Sequence, residues 1–426
     1  MTRTCLAVLI AAWLVSPQPR PRNVHFVFTA DAHYGLHRTF RGADVAATVV
    51  NRAMIARINQ LPSARFPSDG GVDAGQPIGS VEFVAQGGDI ANREENAGEI
   101  QPAAASWKQF ETDYMGGLTL RAADGRPAAL YFVPGNHDAS NAVGFTAPMT
   151  PPVDRTSMVE IFNRMMRPLV PRTNATFDYA VDRVMFANEY GGVRFIYAQI
   201  WLDSKARAWI EGDLGRVPAS TPVVLVMHDQ PDPKPTHFIN PNGSHGLNQS
   251  DGFENLLADQ FADGPAPAPA VSEQHDLERF LARHRNIVAW FHGDSNWHEF
   301  YTWRGPGGTV ALSVFRVDSP MKGKTSASDE RQLSFHVAAI DTLTQTLTVR
   351  ECLWNADPDR PSSPFVWRAS NTVSLAHAAV PTNGQQDLRN RRASSPRIRC
   401  PGCGRLSSTS PHRCQATSSP IRSPAS

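Results

Sequence analysis

Residues 129–138 read Ala-Leu-Tyr-Phe-Val-Pro-Gly-Asn-His-Asp. An apolar and aromatic run stops on Pro134 and Gly135, residue types that end a strand and turn the chain. The next three side chains, Asn136, His137 and Asp138, place an amide oxygen, an imidazole and a carboxylate at the carboxyl end of that strand. Four more apolar runs end in the same way. Val24 to Thr29 leads to Asp31-Ala-His33, and Val81 to Ala85 leads to Gly87-Gly-Asp89-Ile-Ala-Asn92-Arg93. Val223 to Met227 leads to His228-Asp229, and Ile287 to Phe291 leads to His292-Gly-Asp294-Ser-Asn296. In an open α/β sheet the carboxyl ends of the strands converge on one crevice, so residues scattered along the chain can meet there.

Helical periodicity falls between these runs, at Ala43 to Gln60, Glu99 to Tyr114, Arg155 to Met166, Ser204 to Leu214, Gly252 to Phe261 and Glu273 to His284. With further strand candidates at Val184 to Ala187 and Val193 to Ile200, the pattern is that of an α/β sheet covered by helices. After Trp297 strands follow one another directly, at His298 to Trp303, Thr309 to Val314, Gln332 to Ile340 and Thr346 to Cys352, which implies a second, largely antiparallel sheet. Two segments read as insertions: Pro62 to Gly79, and residues 230–271, which contain Asn-Pro-Asn-Gly and a Pro-Ala repeat. Long irregular segments in a compact domain are usually functional or mobile, and the second leaves the strand end at His228, so Phe238, Asn240, Asn242 and His245 are candidates for a pocket wall.

Carboxylates, neutral imidazoles and an amide oxygen are donors that hold divalent ions. Asp-x-His, Gly-Asp, Gly-Asn-His-Asp and a lone His, each after a strand and in that order, resemble the calcineurin-like metallophosphoesterases. The likeness runs from about Val24 to Cys352 and implies a four-layer α/β/β/α sandwich with two mixed sheets, in a domain spanning 23–355. By position it implies that Asp31 and His33 hold a first metal ion, that Asp89 bridges, and that Asn136 and His228 hold a second. His137 would be the general acid or leaving-group stabiliser, oriented by Asp138, and Asn92 or Arg93 would reach a phosphate oxygen. The implied chemistry is direct attack on phosphorus by a hydroxide activated by two divalent ions (Mn, Fe, Zn or Mg). The substrate would be a small phosphomonoester or phosphodiester. No Gly-x-Ser-x-Gly elbow and no Gly-x-x-x-x-Gly-Lys loop occurs, so neither a serine hydrolase nor an NTP-driven motor is supported.

The family's last motif, Gly-His-x-His, is Gly293-Asp294-Ser295-Asn296 here. Three readings stay open. Asp294 and Asn296 ligate through oxygen, which favours Mn²⁺ or Mg²⁺; or flanking His292 or His298 substitutes; or a metal is lost and the chain is a catalytically impaired binding protein of this fold.

Charge supports the same division of the chain. The formal net charge of +1 is the sum of a body, residues 1–388, with 33 basic against 40 acidic residues, and a tail with eight Arg and no acid. An acidic body argues against nucleic acid as substrate. Residues 1–16 carry an apolar run from Cys5 to Val15, too short to span a bilayer, and read as a signal peptide, so a secreted or periplasmic enzyme without a membrane span is expected. Residues 356–388 read as an extended segment. Residues 389–426, rich in Ser, Pro and Arg, read as a disordered basic tail, ahead of a zinc site built from Cys400, Cys403, His412 and Cys414.

Overall fold

The computed structural model describes residues 23–91, 101–139, 154–233 and 271–376. In chain order the first strands are β1 (Val24–Thr29), β2 (His37–Phe40), β3 (Ala43–Ala46), β4 (Phe83–Gln86) and β5 (Ala129–Phe132). They are followed by β6 (Met185–Tyr190), β7 (Val193–Ala198), β8 (Val223–Val226), β9 (Ile287–His292) and β10 (Glu299–Trp303). The last are β11 (Leu312–Arg316), β12 (Ser334–Asp341), β13 (Thr346–Leu353) and β14 (Val366–Ser374). The helices are α1 (Ala47–Ile58), α2 (Ala103–Phe110), α3 (Asn136–Ala139), α4 (Thr156–Met166), α5 (Ser204–Leu214) and α6 (Val271–Arg283).

Two six-stranded sheets carry the fold, in the orders β14-β13-β12-β1-β4-β5 and β10-β11-β9-β8-β7-β6. Period-two alternation explains why they stack. On β1, Val24, Phe26 and Phe28 enter one apolar cluster and Val27 another; on β8, Val224 and Val226 enter the first and Val223 and Leu225 the second. The first cluster lies between the sheets, where Phe26 meets Phe195 and Phe291 edge-on with ring centroids 5.3 and 5.5 Å apart. The outer faces are covered by helices. Trp107 and Phe110 of α2 pack on Phe132 of β5, and Asp213 of α5 pairs with Arg194 of β7. The result is the four-layer α/β/β/α sandwich with two mixed sheets expected of a calcineurin-like metallophosphoesterase.

Several expectations need correction. The strands after Trp297 do not build a sheet of their own: β10 and β11 extend the sheet that holds β9, while β12 pairs antiparallel with β1 and brings β13 and β14 with it. β1 needs partners on both edges, and β12 is the apolar strand that supplies the second. The helix expected from Ala43 starts at Ala47, because Arg41 and Gly42 both take positive φ, 53° and 77°, and fold residues 37–46 into a hairpin. The stretch 356–388 includes β14, whose side chains alternate between exposed and half-buried as an edge strand's do. The segment Pro62 to Gly79 is pinned rather than loose: Asp73 accepts from His25 Nε2 at 2.8 Å, and Asp69 takes two bonds from buried Arg350 at 2.8 and 2.9 Å.

Residues 1–16, residues 389–426 and the helix expected at Gly252 to Phe261 lie outside the described residues, as does most of the second insertion. Among the described residues no helix is long and apolar enough to cross a membrane.

Candidate metal centre

β1, β4 and β5 run parallel in one sheet, β8 and β9 in the other, and their carboxyl ends meet across the sandwich. Two contacts join the two sides, and a third ties the ends of β8 and β9 together. His228 Nδ1 bonds the Gly87 carbonyl at 2.8 Å, the Gly293 N–H donates to the His228 carbonyl at 3.1 Å, and the Asp294 N–H reaches both Asp31 carboxylate oxygens at 3.2 Å. The glycines of the motifs are there for close approach. A Cβ on Gly135 would stand 2.5 Å from the Asp89 nitrogen and overlap its carboxylate, and one on Gly293 would overlap the Asp31 carboxylate.

Strain is concentrated at the same place. Of the ten non-glycine residues with positive φ among the described residues, five are candidate ligands: Asp31 (57°), His33 (43°), Asp89 (54°), Asp294 (62°) and Asn296 (61°). Backbone held in this region persists only where the surroundings impose it, which marks the strand ends as a built site rather than a set of ordinary turns. Ile200 is a further case at φ 50°, costly for a β-branched residue; its carbonyl accepts the Asp229 N–H at 2.9 Å beside His228.

Asp31, His33 and Asp89 form a buried group able to hold a metal ion, with one donor atom from each lying within 4.8 Å of the others. His33 Nε2 is 3.8 Å from Asp31 Oδ1 and 3.7 Å from Asp89 Oδ2, yet neither of its ring nitrogens makes a hydrogen bond. Burial, helped by the charge of Lys322, holds this imidazole well below its usual pKa, so it is neutral. A buried neutral imidazole between two carboxylates leaves orphaned donors that a cation satisfies.

Asp89 faces both ways. Its Oδ2 is turned toward His33, and its Oδ1 lies 3.4 Å from His228 Nε2 and accepts the His137 N–H at 2.9 Å. His228 Nε2 is also 3.0 Å from Asn136 Oδ1 and 3.8 Å from Asp294 Oδ1. Burial works against a charge on His228, but Asp89, Asp31 and Asp294 outweigh it and push the imidazole up. Burial and the neighbouring Asp89 and Asp294 carboxylates push Asp31 up in turn. For Asp89 burial is outweighed by the imidazoles of His228 and His137, which hold it well below the carboxylate range. Three carboxylates, Asp31, Asp89 and Asp294, and three imidazoles, His33, His137 and His228, thus share one pocket.

Not every expected residue lands where expected. Asp138 does not orient His137. Its carboxylate is taken by the N–H groups of Gly135, Ile90 and Ala91 and by the Ser157 hydroxyl, at 2.8–3.1 Å, so it clamps the Asp89 loop to the α3 loop. Four donors on one carboxylate leave no acceptor for an imidazole across the turn. His292 and His298 do not complete the site either. His292 is bonded to the Gly293 carbonyl and the Tyr301 hydroxyl, while His298 faces His336 and Glu351, because the positive φ at Asp294 breaks the extended run that would have kept them on one face. Asp294 is therefore the ligand candidate of that motif. Asn296 donates to the Asp294 carbonyl at 2.6 Å, and its Oδ1 is buried without a partner. Asn92, Arg93, Phe238, Asn240, Asn242 and His245 lie outside the described residues.

The sequence reading missed Lys322 and Ser319. The Ser319 hydroxyl donates to the Asp31 carbonyl at 2.9 Å, and Lys322 Nζ lies 3.3 Å from His137 Nε2. The available signal was compositional: of 41 basic residues only five are Lys, and two of these stand together at 322 and 324.

The fold is a four-layer α/β/β/α sandwich, and at its strand ends Asp31, His33 and Asp89 form a group that could hold a metal ion. No protein-family model and no curated protein matches the chain. Among solved structures it is similar to a predicted phosphoesterase from Streptococcus pneumoniae TIGR4, with 9% identity, a TM-score of 0.30, and coverage of 83% of this chain and 98% of that one. It is similar also to Vps29 from Entamoeba histolytica complexed with Zn²⁺, with 10% identity, a TM-score of 0.29, and coverage of 83% and 99%. A third is phosphopantetheinyl hydrolase from Mycobacterium tuberculosis, with 13% identity, a TM-score of 0.31, and coverage of 70% and 91%. At such distances function has to be argued from the donor geometry.

Proposed function

We propose that the protein is a secreted or periplasmic metal-dependent phosphoric ester hydrolase acting on a small phosphoester with two divalent ions. The observation that carries this reading is the orientation of Asp89, whose two oxygens face different imidazoles, His33 at 3.7 Å and His228 at 3.4 Å. A carboxylate so placed suits two cations better than one, since its charge offsets their mutual repulsion. Asp31 and His33 would hold the first ion, and Asn136, His228 and Asp294 the second, with Asp89 between them. Oxygen outnumbers nitrogen in this set, which favours Mn²⁺ or Mg²⁺ over Zn²⁺.

When bound, divalent ions supply Lewis-acid polarisation of phosphoryl oxygens and lower the pKa of water. The chain's own residues do the rest. The bond from His228 Nδ1 to the Gly87 carbonyl fixes the proton on Nδ1 and leaves the Nε2 lone pair for a ligand role. Asp138, through Gly135, Ile90 and Ala91, holds Asp89 and Asn136 in register. His137 is the least buried of the imidazoles, its side chain 10% exposed, and stands at the mouth to meet the leaving oxygen.

The test is turnover of a chromogenic aryl phosphate and aryl phosphodiester by the purified protein with Mn²⁺, alongside its metal content. Turnover of either ester with metal, abolished in Asp89→Ala, is expected. A protein that takes up no divalent ion and hydrolyses neither ester refutes the reading.

A further inference from the structure

We propose that the cavity between the end of α1 and the loop entering β14 binds a small organic anion that carries a flat ring; the inference does not depend on the phosphoester-hydrolase reading above.

The cavity encloses about 430 Å³, in the range of small-molecule sites, and its lining includes Arg57, Arg65, Ser362, Ser363, Phe365 and Trp367. Arg57 is the residue that points to a ligand. It stands in the last turn of α1, 4% exposed, and every acceptor its guanidinium meets is neutral. Nε donates to the Trp354 carbonyl at 3.2 Å, Nη1 to Gln60 Oε1 and the Pro361 carbonyl at 2.6 and 2.7 Å, and Nη2 to the Ser363 carbonyl at 2.7 Å. A guanidinium has one N–H more than these bonds use, on Nη2. Burial works against the charge, and among the described residues no carboxylate offsets it. The carbonyl end of α1 supplies only a partial negative charge. Other buried arginines are served differently: Arg183 pairs with Asp203, Arg316 with Glu299 and Arg350 with Asp69.

A second cation faces the same cavity. Arg65, exposed, donates to the Gly75 carbonyl at 3.2 Å and has no acidic partner among the described residues. Two arginines without counter-charge on one cavity suit an anion, which satisfies a buried charge better than neutral oxygens do. Ser362 and Ser363 add hydroxyls able to donate to the same group.

The walls specify the rest of the ligand. The Arg57 guanidinium lies over the Phe365 ring, 4.1 Å from its centroid, and Trp367 stands beside Phe365 with ring centroids 6.3 Å apart. Both aromatic residues are half-buried. A bare carboxylate would leave most of the cavity to water, whereas a flat ring joined to it covers the exposed part of these two side chains.

The probe is naphthoate, titrated calorimetrically into the full-length protein with chelator present, so that no ion at the metal centre recruits the carboxylate. Acetate, which lacks the ring, and naphthamide, which lacks the charge, are the comparisons. Naphthoate should bind with a Kd below about 1 mM, and each comparison at least roughly tenfold more weakly. Arg65→Glu changes an exposed side chain, so it should melt as wild type does while binding naphthoate about tenfold more weakly; Arg65→Lys should keep most of the affinity. Arg57→Lys, where it folds, should lose at least as much as Arg65→Glu, since a Lys cannot hold the loop carbonyls and the anion together. Naphthoate that fails to bind below 1 mM, naphthamide that binds as well as naphthoate, or an affinity indifferent to Arg65→Glu overturns the proposal.

Discussion

Asn136 and His228, separated by 92 positions in the chain, meet with Oδ1 and Nε2 3.0 Å apart. Two further acceptors, from Asp89 and Asp294, face the same nitrogen. A lone pair ringed by three oxygens is stable only around a positive charge, either a proton or a metal ion. Without metal a proton on His228, paired with Asp89, fills that place; a bound ion would take it over.

Added Mn²⁺ should therefore raise the melting temperature of metal-stripped protein, corresponding to about 2.7 kcal/mol at a free concentration 100 times Kd. Asp89→Asn keeps an acceptor for the His137 N–H but removes the central negative charge. Its metal-free form should melt below the wild-type temperature, because His228 loses the carboxylate that pairs with it, and its Mn²⁺-induced rise should vanish. Differential scanning fluorimetry with and without chelator reads both; a metal-induced rise of wild-type size in the variant counts against Asp89 as the shared ligand.

Gly293→Ala isolates close approach from charge. Position 293 has no positive φ, but a Cβ there would run into Asp31 and Ala30. Forcing that atom in should cost about 1–3 kcal/mol of stability and displace Asp31 from His33. Metal affinity should fall with it, even though no ligand has been changed. Urea titration and metal titration of the same variant test this, and undiminished metal affinity would argue that the β9 turn does not position Asp31.

These consequences bear on what could be read in the sequence. The strand ends were legible because alternation and apolar runs are local, and because a polar residue after a Pro-Gly or Gly-Gly turn has few structural reasons to be there. That logic marks the strand ends; the ligand roles of Asp31, His33, Asp89, Asn136 and His228 came from the resemblance carried by the ordered set of motifs. The pairing of β12 with β1 was not legible, since Ser334–Asp341 reads as an apolar strand whichever sheet takes it. Nor was the role of Asp138: its four donors come from Gly135, Ile90, Ala91 and Ser157, and the backbone N–H groups among them carry no sequence signal. Lys322 was hidden for a related reason. What makes it part of the site is the Ser319 hydroxyl reaching the Asp31 carbonyl, 288 positions away.

Asp318 directly precedes Ser319, whose hydroxyl bonds the Asp31 carbonyl. Burial pushes Asp318 up to about 7. Its folded-state pKa is thus above the unfolded value, so its contribution to stability is fully present below pH ~4 and lost as the pH rises through ~7. Asp318→Asn has no charge to bury. It should be more stable than wild type at pH 8, by on the order of 1–4 kcal/mol, and the difference should shrink as the pH falls toward 4. Denaturant melts at several pH values between 4 and 8 check the slope; a difference independent of pH would mean that Asp318 does not titrate in this window.

The departure at the last motif has a backbone reason that can be tested separately from its chemistry. Asp294 and Asn296 take φ 62° and 61°, and Asp and Asn accept this region best among residues with a side chain. Two imidazoles at these positions would bring nitrogen ligands to a turn that suits them less well. The double variant Asp294→His, Asn296→His should lose roughly 1–2 kcal/mol of stability in its metal-free form. It should also exchange a Mn²⁺ or Mg²⁺ preference for Zn²⁺, because nitrogen replaces oxygen in the donor set. Metal competition read by elemental analysis, beside turnover with each ion, separates two histories of the site. A shift in preference with Mn²⁺-supported turnover of wild type left the higher indicates an oxygen-rich centre that works as it stands. Turnover gained only in the variant indicates that Asp294 and Asn296 had cost the protein its second ion.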